Sequence, residues 1–348
     1  MALDPSPLDP SPLGPSPLDP AGLGALGFGA APIGNLYRAM PEEDAEATIR
    51  SALDAGIRYL DTAPHYGFGL SEKRLGRYLP ALDPDEALII STKVGRRLDP
   101  VPEADLTRAR QGFVTPEPFE SRFDYSYDAV MRSYEASRQR LGRERIDILY
   151  VHDIGRYAQG DRHAETFRQF MAGGYRALRE LRDGGAVGAI GLGVNEWEVC
   201  VEALAHGDYD LMLLAGCYTL LDQSPLDVFL PLCARRGVGI VIGGPYNSGI
   251  LATGVKGPGP VNYQYQPAPP GIVARVAAIE AVCDAHGVPL AAAALQFPLA
   301  HGQVASVIPG MNSPGQVERA VSLMRHPIPA ALWAELKHQG LLRADAPV

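Results

Sequence analysis

The sequence predicts an α/β protein, a single (β/α)8 TIM barrel behind a proline-rich tail. Three observations carry this. Short apolar runs alternate with amphipathic runs in eight successive pairs between Gly22 and Met324. The apolar runs are continuous, as expected for parallel strands buried on both faces. The two long insertions, 95–124 and 243–270, each follow the C-terminal end of a predicted strand, the side of a barrel on which binding loops gather.

The tail comes first. Residues 3–20 repeat a five-residue unit: LDPSP, LDPSP, LGPSP, LDP. Proline at this density removes backbone donors and favours extended polyproline. Residues 1–20 are therefore expected to be disordered and residues 21–348 to form the barrel domain. A PxxP-type ligand is the other reading of the repeat, but no basic residue flanks it.

The first strand is expected near 24–30. The first helix follows at 42–55, with Pro41 at its start and Gly56 just past its end, the usual asymmetry of helix termini. Further strands are expected at 57–62, 87–92, 146–151, 187–194, 210–214, 238–242 and 304–308. Amphipathic helices fall at 71–79, 127–141, 164–183, 196–205, 226–236, 271–286 and 314–324. A doubly wound open sheet is the runner-up. It needs a glycine-rich turn opening straight into a helix, whereas Pro32 and Gly34 separate Gly22, Gly24, Gly27 and Gly29 from the first helix.

Composition narrows the function. With 348 residues and 46% apolar content, the chain needs no metal or disulfide staple to build a core. The net charge is −9 and Lys and Arg form no cluster, which argues against a nucleic-acid surface. The longest apolar stretch, near 209–221, falls short of the roughly 18–20 residues that span a bilayer, so no membrane partner is expected. The first basic residue is Arg38, so no secretory leader is expected and the cytoplasm is the default. Cys200, Cys217, Cys233 and Cys283 match neither CxxC nor a zinc spacing; they read as reduced, buried hydrophobes, and no metal is expected. Nothing in the sequence specifies an oligomeric state.

Four ionisable residues sit at or just after successive strand ends. Asp61 ends IRYLDTA, Tyr66 follows in PHYGFG, Lys93 ends ALIISTK and His152 ends RIDILYVH. Alone, each reads as a capping carboxylate or a satisfied core residue. Together they converge on one barrel mouth and suit proton transfer coupled to hydride transfer. A free Tyr titrates too high for acid–base work near neutrality, and a cation beside it lowers that value. Lys93 can be that cation. A buried Lys needs a carboxylate partner, and Asp61 can supply it. His152 can hydrogen-bond and orient the reacting oxygen. None of these groups carries a hydride, so a redox cofactor is required.

DTAPHYG with SEKRLG behind it, then a strand ending in Lys93 and another ending in His152, resembles the aldo-keto reductase superfamily over about residues 24–323. The resemblance implies a TIM barrel that uses nicotinamide cofactors without a Rossmann fold. It implies a catalytic tetrad of Asp61, Tyr66, Lys93 and His152, with Tyr66 the acid in reduction and the base in oxidation, and Asp61 also beside the cofactor. In GVNEWE, Asn195 matches the residue that holds the nicotinamide carboxamide. GGPYNSGIL resembles the pyrophosphate loop, which implies cofactor contacts from Gly244, Pro245, Tyr246, Asn247, Ser248 and Gly249. IPGMNSPGQVERA resembles the adenosine-side motif, which implies contacts from Pro309, Gly310, Asn312, Ser313 and Gln316. There Ser313 and Pro314 read as the cap and first residue of a helix.

Three positions depart from the family pattern. Gly243 stands where an aromatic usually stacks on the nicotinamide, Ala215 replaces a Gln, and Asn312 replaces an Arg that commonly grips the 2′-phosphate of NADP. NAD is therefore the expected cofactor, with NADP possible. VHDIG, AGCYTLL and GGPYNSGILATG resemble the branch holding bacterial aldose 1-dehydrogenases of the L-fucose or D-threo-aldose type, pyridoxal 4-dehydrogenase and plant L-galactose dehydrogenase. That resemblance implies a sugar or other cyclic hemiacetal substrate oxidised to a lactone. The alternatives are pyridoxal oxidation, general aldehyde or ketone reduction, and a nicotinamide-binding regulatory barrel with poor turnover.

Overall fold

Eight parallel strands, hydrogen-bonded in sequence order, wall the molecule in the computed structural model, which describes residues 14, 16, 18–101, 106–259 and 261–348. They are β1 (Phe28–Gly29), β2 (Tyr59–Asp61), β3 (Ile89–Val94), β4 (Ile146–His152), β5 (Val187–Val194), β6 (Leu211–Ala215), β7 (Gly239–Gly243) and β8 (Val304–Ile308). The last strand returns to the first: the Gly27 amide donates to the Val307 carbonyl at 2.9 Å, and the Val307 amide to that of Ala25 at 2.9 Å. The barrel expected from the alternation is the observed fold, and the open sheet is not formed.

Side chains alternate across each strand, so one parity faces the outer helices and the other fills the barrel. Tyr59, Ile148, Tyr150, Leu211, Leu213 and Val241 pack inside. The same parity, continued to the C-terminal strand ends, reaches Asp61, Lys93 and His152, then Gly193, Ala215 and Gly243. The register agrees: Lys93 lies opposite Tyr150, His152 opposite Gly193, and Ala215 opposite Gly243. One half of the mouth therefore carries ionisable groups and the other half almost no side chain.

The outer helices are α1 (Glu42–Asp54), α2 (Leu70–Leu82), α3 (Tyr127–Leu141), α4 (Tyr175–Asp183), α5 (Glu198–His206), α6 (Phe229–Arg236), α7 (Pro270–Ala285) and α8 (Pro314–Met324). The single helix expected at 164–183 is instead broken, with a π turn at Phe170–Gly174 before α4. Close packing explains the break, because a Cβ on Gly174 would lie 2.4 Å from the Tyr125 carbonyl oxygen. Helix Leu290–Gln296 carries no polar face and is buried except at Gln296, so it shows no amphipathic period to detect. The insertion after β3 holds an antiparallel hairpin, Arg96–Pro100 with Phe119–Phe123, and the one after β7 a smaller hairpin, Asn262–Tyr263 with Gln266–Pro267.

The packed chain begins before residue 21, the boundary expected from the repeat. Arg182 donates to the Gly14 carbonyl at 2.7 Å, and Leu18 packs against the barrel's inner core. The expectation for residues 1–13, 15 and 17 lies outside the described residues. All four cysteines are free and buried, and burial pushes the Cys217 thiol up to about 12. Among the described residues, no single helix is long and apolar enough to cross a membrane.

Candidate active site

The centre of the mouth is an ion pair. The Lys93 ammonium donates to Asp61 Oδ1 at 2.9 Å, to Asp61 Oδ2 at 2.7 Å and to the Thr62 carbonyl at 2.8 Å. These contacts can account for all three ammonium protons. Both side chains are almost fully buried, and a buried charge is tolerable only when paired this completely. Ser91 adds a hydrogen bond to Asp61 Oδ1 at 2.7 Å, and Tyr59 joins Ser91 at 3.0 Å from below. A polar column thus rises from the barrel interior to the pair.

Tyr66 is set by its turn. Gly67, Phe68 and Gly69 all adopt left-handed backbone, with φ of 65°, 55° and 101°. A Cβ on Gly67 would lie 2.4 Å from the Gly34 carbonyl oxygen, so the turn needs glycine there to rest on the first loop. Behind it, Ser71 ties Thr62 to the Ala30 carbonyl, and buried Glu72 joins Thr92 to Arg140. SEKRLG is thus largely the brace of this turn. The turn brings the Tyr66 ring under Lys93, whose Nζ is 4.7 Å from the ring centroid. His152 stands edge-on to the same ring at 6.0 Å.

Lys93 does not lower Tyr66 as expected. Burial pushes the phenol well above its ordinary value; the Asp61 and Asp153 carboxylates add to the rise and Arg96 opposes it. The physical reason is the tight Lys93–Asp61 pair, in which the cation's field is cancelled by its partner. His152 is pushed far below the usual histidine range by burial and by Lys93 and Arg96, so its ring is neutral near pH 7. Its Nδ1 is buried without a partner, which leaves Nε2 as the nitrogen facing Asp153, 3.5 Å from Oδ2.

Sequence reasoning missed Asp153 and Arg96. Arg96 Nη1 donates to Asp153 Oδ2 at 2.7 Å, and its guanidinium stacks on Phe123 at 4.7 Å. The signals were present: Asp153 directly follows the strand-ending His152, and Arg96 follows Lys93 by three residues.

The open half of the mouth continues into a 30 Å³ cavity lined by Asn195, Ala215, Gly216, Gly244, Asn247, Ser248 and Tyr265, among others. Asn195 donates to the Ala215 carbonyl at 3.2 Å and Asn247 to that of Gly216 at 2.9 Å. Asn247 Oδ1 is buried there without a partner. Gly244, Asn247, Ser248 and Gly249 all have positive φ. An unpartnered amide oxygen beside a glycine-rich, left-handed loop fits a polar cofactor group that donates a hydrogen bond. Tyr246 packs outward against the core instead of lining the cavity; Tyr265, from the second hairpin, is the aromatic that lines it, within hydrogen-bonding reach of Asn195. Pro245 is buried in the loop.

On the far side, the Pro309 carbonyl and Gly310 are used in closing the barrel onto Gly29. Ser313 caps α8 through the Gln316 amide at 3.3 Å, and the Gln316 side chain accepts from the Asn312 amide at 2.9 Å. Gln316, expected to touch the cofactor, thus has a structural partner. Among the described residues, no cluster of three or more His, Cys, Asp or Glu could hold a metal.

Comparison with known proteins agrees with this geometry. Residues 25–339 match the model of the aldo/keto reductase family. The chain is 45% identical to a pyridoxal 4-dehydrogenase of Microbacterium luteolum, covering 90% of this chain and 92% of that protein. It is 41% identical to a D-threo-aldose 1-dehydrogenase of a Pseudomonas species, with the same coverage of 90% and 92%. The holo form of aldo-keto reductase AKR11C1 from Bacillus halodurans superposes with a TM-score of 0.66 at 28% identity, covering 92% of this chain and 93% of that one.

Proposed function

This chain belongs to the aldo/keto reductase family of NAD(P)-dependent oxidoreductases, and from that premise we propose that it oxidises the hemiacetal carbon of an aldose, of the L-fucose or D-threo-aldose type, to a lactone. One observation carries the reading. Tyr66, the Lys93–Asp61 pair and His152 meet on one side of a mouth whose other side is kept open by Gly193, Ala215 and Gly243.

The nicotinamide, when bound, supplies the hydride acceptor. Asn195, the 244–249 loop and the Ser313 end of α8 would hold it, with NAD the preferred form. Tyr66 takes the proton of the hemiacetal hydroxyl in oxidation and gives it back in reduction. Neutral His152 hydrogen-bonds the reacting oxygen. Lys93, ion-paired with Asp61, fixes the ring of Tyr66 from its face. The bonds balance: the C–H electron pair departs as hydride, the O–H proton goes to the phenolate, and the lactone carbonyl forms.

A second reading has its own support. The raised Tyr66 keeps a protonated phenol at neutral pH, which suits donation and thus reduction of an aldehyde. The 45% identity to a pyridoxal 4-dehydrogenase also makes pyridoxal a substrate to try. Purified protein is to be incubated with NAD or NADP and L-fucose, D-arabinose, L-galactose or pyridoxal, following absorbance of the reduced cofactor. Turnover of an aldose is the expected result. Turnover of pyridoxal alone, or of aldehydes alone in the reverse direction, would move the assignment to those substrates. Cofactor binding without any turnover would refute both.

A further inference from the structure

Asp153 is held in an uncommon state. Its φ is 53°, in the left-handed region that non-glycine residues rarely occupy. Three hydrogen bonds keep it there: its amide donates to the Gly193 carbonyl at 3.0 Å, and its carbonyl accepts from Tyr125 at 3.0 Å and from Gln159 at 2.8 Å. Strain that is over-determined in this way collects at functional sites.

The carboxylate itself is only half used. Oδ2 accepts from Arg96 Nη1 and faces His152 Nε2 at 3.5 Å, while Oδ1 accepts no hydrogen bond among the described residues. Arg96 is positioned from its far side by Gln111, which accepts from Nη2 at 3.2 Å, and from below by Phe123. The pair is 14% and 16% exposed, so it sits at the rim of the mouth, neither in the core nor on open surface. A pair kept for stability alone gains little from partial burial and would not require a strained backbone.

We propose that Asp153 and Arg96 clamp a hydroxyl group on the carbon next to the reacting carbon, and so select α-hydroxylated substrates. The inference rests on the assignment of His152 to the reacting oxygen. Oxygens on adjacent carbons lie about one hydrogen-bond length apart. A substrate oxygen on His152 Nε2 therefore places its neighbour beside Asp153, close to Oδ2 on that nitrogen. The substrate hydroxyl donates its proton to the carboxylate and accepts from the guanidinium. An aldehyde without that hydroxyl leaves the pair bound only to itself and forgoes both of these hydrogen bonds.

The test is a ratio of kcat/KM values. D-arabinose is compared with 2-deoxy-D-ribose in oxidation, and glycolaldehyde with acetaldehyde in reduction, for wild type, Asp153→Asn, Arg96→Met and Arg96→Lys. Wild type should favour the hydroxylated member by about tenfold to a hundredfold, as expected for a hydrogen bond to a charged group. Asp153→Asn and Arg96→Met should bring the ratio within about threefold of unity, with the larger loss on the hydroxylated member and mostly through its KM, and Arg96→Lys should keep part of the preference. If Asp153→Asn fails to fold, the two Arg96 variants decide. A wild-type ratio near one, or an equal loss on both members of a pair, makes the ion pair structural and ends the proposal. If no aldose is oxidised the lactone reading falls, while the aldehyde pair still decides the clamp.

Discussion

Lys93 stands over the face of Tyr66, its ammonium nitrogen 4.7 Å from the ring centroid, while that nitrogen's hydrogen bonds run to Asp61 and the Thr62 carbonyl. Lys93 thus touches the phenol as a cation on a ring and not as a donor to its oxygen. With Asp61 neutralising it, the lysine positions Tyr66 without making it acidic. The phenol hydrogen is left for whatever binds above.

Tyr66→Phe tests that arrangement directly. The ring and its packing on Lys93 and Phe113 are kept, and only the hydroxyl goes. Turnover should fall by roughly 10²–10⁴-fold, the usual worth of general acid–base catalysis. Cofactor affinity, measured by fluorescence titration, should stay within about threefold. A variant keeping more than about a tenth of wild-type kcat would remove Tyr66 from its role.

Lys93→Met should damage both activity and stability. It leaves the Asp61 carboxyl, 3% exposed, without its cation and with Ser91 as its side-chain partner among the described residues, and breaking a buried pair typically costs about 3–5 kcal/mol. Adding Asp61→Asn removes the stranded charge, so the double variant should recover much of the melting temperature and none of the turnover. Equal melting temperatures for the single and double variants would contradict the account.

The rate should depend on pH asymmetrically. Tyr66 is raised well above 10, so the phenol persists through neutrality and reduction should stay flat from about pH 6 to 9. Oxidation needs the phenolate and should climb by up to about tenfold per pH unit over the same range. His65 and His152 are both depressed far below 6.5, so neither should produce a transition near that value. Their linkage has a definite sign. The unfolded chain binds protons at these positions before the native state does, so stability should decline as pH falls below about 6.5. A reduction profile with a sharp break near pH 6.5 would contradict the neutral-histidine assignment.

Much of the barrel and of its mouth was legible because it depends on local signals. Continuous apolar runs specified the strands, and strand-end polarity picked out Asp61, Lys93 and His152. What escaped notice depends on contacts distant in sequence. The hairpin carrying Arg96 is held by pairing between residues as far apart in sequence as Arg96 and Phe123. Tyr265 reaches the cavity only because a turn with φ of 47° and 62° at Gln264 and Tyr265 aims it there. Gln316 was named from its motif alone, and the hydrogen bond its side chain accepts from the Asn312 amide could not be read there. The direction of the Tyr66 shift also could not be read from sequence, since it turns on how tightly Lys93 and Asp61 pair.

The cofactor preference is expected to be set at the start of α8. A 2′-phosphate carries about two negative charges and is best held by a bidentate Arg. Asn312 offers none, and its amide is already capped by Gln316 at 2.9 Å. Lys256, a nearby cation in sequence terms, is paired with Asp284 and stands 4.0 Å from Glu280. Arg319 remains. It lies near enough to Tyr246 of the 244–249 loop to offset part of the rise that burial imposes on that phenol. A missing charge-assisted contact costs NADP on the order of 1.5–3 kcal/mol, or about tenfold to a hundredfold in affinity. NAD should therefore be used at least as well as NADP. Comparing kcat/KM for the two cofactors with one good substrate checks this, and Arg319→Ala separates the contributions. If Arg319 holds the phosphate, the variant loses NADP activity while NAD activity stays within about twofold; if it only braces the loop, both decline together. A tenfold preference of the wild-type protein for NADP would show that Arg319 does what Asn312 cannot.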